Sequence, residues 1–117
     1  MKYVLSIPLL FFCGNLFAQT SVTAETGKKV IIDNDKMQVI EHVSTSNGDV
    51  CGKGMHHHAP HLTVVLSDAK VRITPEKGKS QVVEVSAGTS IWFESETHSA
   101  INLSKQPTKM LLVYLKD

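Results

Sequence analysis

Residues 62 to 93, LTVVLSDAKVRITPEKGKSQVVEVSAGTSIWF, decide the fold class. Short β-branched runs (LTVVL, AKVRIT, QVVEVS, SIWF) alternate with the turn signals SD, PEKGK and AGT. Strands of this length, closely spaced and separated by Gly, Pro and Asp, belong to a sandwich or a small barrel. Within them, Val71 and Ile73 alternate with Lys70, Arg72 and Thr74, and Val83 and Val85 alternate with Glu84 and Ser86. Such strands have one wet face. LTVVL is more continuously apolar and is expected at the centre of a sheet, covered on both faces.

The pattern extends in both directions. KVIID and KMQVIEHVS precede it, and SAINL and MLLVYL follow, with SNGD, ESET and SKQPT as separators. MLLVYL, like LTVVL, reads as a central strand. No segment sustains a 3.6-residue period long enough for a good helix. The expectation is an all-β domain over 29–117. No internal repeat is visible.

The N-terminus is different. MKYVLSIPLLFFCGNLFA carries one lysine, an apolar run and a small residue, Ala18, at a cleavage point. This pattern predicts a secretory signal peptide over 1–18. The run is interrupted by Pro8, Gly14 and Asn15 and is shorter than the roughly 20 residues of a membrane span. A lipid anchor on Cys13 is disfavoured by the bulky Phe11 and Phe12 before it. QTSVTAETGK, residues 19 to 28, reads as a flexible lead-in. The protein is therefore expected to be exported, periplasmic or secreted, with no membrane span in the mature chain.

Lys2 is the only charge in residues 1–18, so the net charge of +1 becomes zero on cleavage. A neutral chain lacks the basic surface that nucleic acid or an anionic membrane selects. At roughly 100 residues it supports one modest core. Cys51 is then the only cysteine, which excludes an intramolecular disulfide. It reads as a partly buried thiol without a role; a disulfide to a partner chain and a soft metal ligand are the alternatives. A homodimer stays open as the assembly.

The chemistry concentrates in CGKGMHHHAPH, residues 51 to 61. In an extended strand His56 and His58 share a face, and His57 takes the other. Two imidazoles so placed can converge on one ion. His61 would fall on the wrong face, but Pro60 tends to end or bend a strand and so returns it to the pair. In the rival geometry the strand is unbroken and His57 and His61 share a face. Downstream, AGTSIWFESETHSAIN, residues 87 to 102, places His98 and Asn102 after a strand that Gly88 opens. His42, within VIEHVS, reads as a strand histidine. Of Trp92 and Phe93, at least one is expected to fill the core.

HHHAPHLTVVLSD and the 87–102 stretch together resemble the two signature motifs of the cupin superfamily, over roughly residues 50 to 115. His56 and His58 match the H-x-H pair, and His61 falls near the motif's glutamate. Gly88, His98 and Asn102 match the glycine, histidine and asparagine of the second motif. The sequence departs from the pattern in several places. Val50 stands for the opening glycine, only two residues separate His58 from His61, and Asp68 replaces the final glycine of the first motif. Glu94 and Glu96 stand at the proline and glycine of the second, where they read as solvated loop charges, with an acidic metal ligand as the alternative for each.

The resemblance implies a small antiparallel β-barrel, the double-stranded β-helix or jelly roll, around a metal ion. It implies His56, His58, His61 and His98 as ligands, with His57 an alternative to His58. The ion would be a divalent transition metal: iron, manganese, nickel, copper or zinc. Besides a barrel whose histidines have become structural, two functions are compatible with it. One is a metal-dependent enzyme on a small organic substrate. The other is a non-enzymatic periplasmic module that binds metal or a small-molecule ligand, a reading the soft donors Cys51 and Met55 favour.

Overall fold

The computed structural model describes residues 26–117. The signal-peptide reading, Cys13 and most of the lead-in lie outside the described residues. The first strand is β1 (Gly27–Asp33), so the last two residues assigned to the lead-in belong to a strand. The strands that follow are β2 (Met37–Ser44), β3 (His56–His58), β4 (His61–Val65), β5 (Ala69–Pro75), β6 (Gln81–Val85), β7 (Ser90–Phe93), β8 (Glu96–Asn102) and β9 (Thr108–Leu115). Among the described residues there is no helix, and hence none long and apolar enough to cross a membrane.

Two antiparallel sheets face each other, ordered β1-β2-β9-β4-β7 and β3-β8-β5-β6. They form a jelly roll whose sheets do not close into a continuous barrel. β9 and β4 are interior strands of the larger sheet, as the unbroken apolar runs MLLVYL and LTVVL predict. Their outer faces are only half covered: Leu62, Val64, Leu111 and Val113 are half-buried, in contrast to the expected full cover. Inward parity along β5 is as expected, with Val71 buried between exposed Lys70 and Arg72. Val65, Val71, Ala100, Met110 and Leu112 meet between the sheets. Each such apolar side chain contributes about 1.5–3 kcal/mol on burial, Ala100 less.

ESET is not wholly a separator, because Glu96 and Thr97 already pair with β3 as part of β8. Asp68, at the position of the motif's glycine, does not adopt a left-handed conformation: among the described non-glycine residues only Asn47 has positive φ. Asp68 instead holds the turn by accepting the Ala87 N–H at 2.9 Å. Gly88 does require its left-handed φ of 93°, and its N–H donates to Val65 O across the entry to β7.

Candidate metal centre

The smaller sheet presents its histidines by register. His56 lies opposite His98 and His58 opposite Glu96, so all four side chains share the inner face. His57 faces out, between Thr97 Oγ1 at 2.8 Å and Ser95 Oγ at 3.1 Å. Ala59-Pro60 ends β3, and the chain crosses to the opposite sheet, where β4 begins with His61. The corner thus brings His61 back to the interior from the facing sheet, buried to 3% exposure. Its ring centroid stands 5.0 Å from that of His58.

Cys51 arrives by a different device. Val50 N–H donates to Ala100 O, and His56 is already opposite His98, so residues 51 to 55 loop out against Ser99 alone. The excursion breaks strand parity and turns the thiol inward. Cys51 Sγ lies 3.5 Å from both His56 Nε2 and His98 Nε2. Gly52 makes the close approach possible: a Cβ there would sit 2.9 Å from the His56 ring.

One donor atom each from Cys51, His56, His58 and His98 lies within 4.8 Å of every other. Three of the four expected histidines are therefore brought together. His61 is beside them but outside this group, and Cys51, read as a thiol without a role, is inside it. His42 is buried on β2, likewise outside the group. Asn102 is fully buried and bonds to Ser44 O, Gln106 O and Ser104, which makes it a structural hub. Phe93 is the inward aromatic, its ring 5.5 Å from that of His61, while Trp92 is exposed and donates to Glu94.

Around the ring, a second layer holds the remaining imidazole nitrogens. His56 Nδ1 donates to Gly54 O and His61 Nδ1 to Ala59 O, each at 2.8 Å. Each carbonyl fixes its ring's tautomer and leaves the Nε2 lone pair free. His58 Nδ1 meets the Tyr114 hydroxyl at 2.7 Å. His98 Nδ1, otherwise a buried nitrogen without a directed hydrogen bond, lies 3.3 Å from Glu96 Oε2. Glu96 is thus no simple solvated charge. Tyr114 and Glu96 were not singled out as partners of histidines; inward parity from Leu112 and from His98 was the available signal.

Burial disfavours charge on His58, His98 and Cys51. It pushes His58 down to about 3, helped by the neighbouring histidines His56, His61, His98 and His42. It also lowers His98 against the opposing pull of Glu96. It lifts the Cys51 thiol to about 12, with Glu96 and Asp49 adding to the effect. Imidazoles whose Nε2 atoms face the cluster, beside a sulfur that would bind as the thiolate after losing its proton, are donors that a soft or intermediate cation takes.

No protein-family model matches the sequence, and no curated protein matches it. Solved structures do match the fold. A cupin domain from Bordetella pertussis Tohama I superposes with a TM-score of 0.70 at 22% identity, covering 82% of this chain and all of that one. The polyketide cyclase RemF from Streptomyces resistomycificus gives 0.59 at 22% identity, over 81% of this chain and 71% of its own. An RmlC-like cupin with a double-stranded β-helix fold from Methanocaldococcus jannaschii gives 0.59 at 11% identity, over 79% and 83%. The chain has the fold of a small single-domain cupin.

Proposed function

We propose that this small cupin is an exported metal-binding protein whose ion is held by His56, His58, His98 and Cys51. The observation that carries the reading is the convergence of those four donors within 4.8 Å. Three imidazoles and a sulfur suit zinc or copper better than a hard oxygen-seeking ion. Cys51 replaces the fourth imidazole of the four-histidine set, and His61 stands in the wall beside it. Export rests on the N-terminal leader pattern alone.

A second reading, a metal-dependent enzyme, is favoured by a specific observation: an apolar pocket opens directly against Cys51, His61 and His98. When bound, the metal would supply Lewis acidity to a guest in that pocket. The chain's own part is to hold the ligand rings in one tautomer and to exclude water with Phe93, Val65 and Leu112.

Metal analysis of the purified protein, with His56→Ala and His98→Ala alongside, tests the proposal. One equivalent in the wild type and a marked loss in both variants is the expected result. A wild type that takes up no stoichiometric zinc or copper from metal-supplemented buffer overturns it.

A further inference from the structure

The pocket beside the cluster specifies the class of guest that would meet the ion. It encloses about 70 Å³ between the two sheets. Val71, Val83 and Val85 wall it on one side, and Ile91 and Leu112 on the other. Polar groups reach it only from Thr63 and from the cluster end, where Cys51, His61, Glu96 and His98 stand. Among the described residues no lysine or arginine lines it. In the metal-free protein a carboxylate or phosphate would find no cationic side chain there, and a sugar would lose its water without full replacement, which is costly.

Size narrows the class further. An apolar cavity of about 150 Å³ holds benzene, about 25 Å³ for each heavy atom, so this one accommodates about three heavy atoms. An entrance is built into the topology. β6 and β7 are the edge strands of the two sheets on the same side, and nothing pairs them with each other. Their inward residues, Val83, Val85, Ile91 and Phe93, are half-exposed, whereas Thr63, Val65, Met110 and Leu112 on β4 and β9 are buried.

We propose that the gap between β6 and β7 admits a compact, uncharged, apolar molecule of about three heavy atoms to the side of the ion. The catalytic meaning of this guest rests on the metal reading above; the preference of the pocket does not.

Xenon is the probe, because dry apolar cavities bind it. The methyl resonances of Val71, Val85 and Leu112 in the metal-free protein are followed as xenon pressure rises. Saturable shifts are expected in the wild type and in Val82→Phe, whose side chain points outward. In Val83→Phe, which fills the pocket, the shifts should fall to those of surface methyls; Ile91→Phe is the second filling variant should the first not fold. Acetate should leave the same methyls unmoved.

Absence of saturable shifts in the wild type, their persistence in the filled variant, or an equal response to acetate overturns the inference. Zinc uptake is measured after portions of the same preparations are reloaded with the metal, and should be the same in wild type and Val83→Phe. A protein that binds xenon but no metal leaves the pocket assignment standing and removes the metal reading. One that binds metal and no xenon does the reverse.

Discussion

The Nε2 atoms of His56 and His58 stand 2.8 Å apart. Gly54 O holds the proton of His56 on Nδ1, so its inward nitrogen carries a lone pair. In the metal-free chain the contact is satisfied when His58 Nε2–H donates to it, which leaves His58 Nδ1 to accept from the Tyr114 hydroxyl. A cation held there would replace that proton, and His58 Nδ1–H would then donate to Tyr114, which would make Tyr114 a positioning residue for the site. Tyr114→Phe should weaken zinc binding about 10- to 100-fold, as removal of an outer partner does elsewhere. Stability of the metal-free protein should change by only about 1 kcal/mol. Titration calorimetry and denaturant unfolding separate the two, and unchanged affinity would remove the role.

Gly52 lies under the His56 ring without donating to anything in the site. A methyl group at that position would stand 2.9 Å from two of its ring carbons, closer than real contacts allow. The ring or the 51–55 loop must then move, and Cys51 moves with the loop. Gly52→Ala is expected to lower metal affinity although every ligand is retained. Measured with cobalt as a probe, it should weaken the sulfur-to-cobalt charge-transfer absorption more than His57→Ala does. Equal spectra for the two variants would contradict this account.

Parity explains what was legible in the sequence and what was not. Inside regular strands it worked: His56 and His58 share a face and His57 does not, because register with β8 holds each of them. Pro60 correctly marked the corner that returns His61. Parity cannot cross an excursion, and residues 51 to 55 are one, so the inward turn of Cys51 was hidden although CGKG carries two glycines. Tyr114 and Glu96 were missed for another reason. Each meets its histidine through sheet packing or register, and the sequence does not reveal which strand lies opposite which.

Asn102 was placed in the second motif by resemblance, and its environment assigns it to the framework. It is fully buried, with Nδ2 donating to Gln106 O at 3.0 Å and to Ser44 O at 3.4 Å. Its Oδ1 accepts from Ser104 N at 2.9 Å. Asn102→Ala leaves these groups unsatisfied next to the packed Ser44–Thr108 hydroxyl pair. A cost of about 3 kcal/mol is expected. The fraction that folds should still bind metal stoichiometrically. Loss of metal without loss of unfolding free energy would instead put Asn102 in the site.

His42 faces inward on β2 at 7% exposure, with Lys28 on β1, His56 and His61 near it and Asp49 and Lys53 lining the adjoining hollow. Burial, then the cationic Lys28 and the two histidines, hold its pKa down to about 4 from 6.5. The unfolded chain therefore binds a proton that the folded chain refuses between those values. At pH 7 neither state is protonated and His42 costs nothing; as pH falls from 6.5 towards 4, stability drops, by about 3 kcal/mol at most from this residue. His58, held to about 3, continues the trend to lower pH. Denaturant unfolding of the metal-free protein at pH 7 and pH 4.5 should show the loss, and His42→Gln should recover a substantial part of it. Parallel losses in wild type and variant would show that the acid sensitivity lies elsewhere.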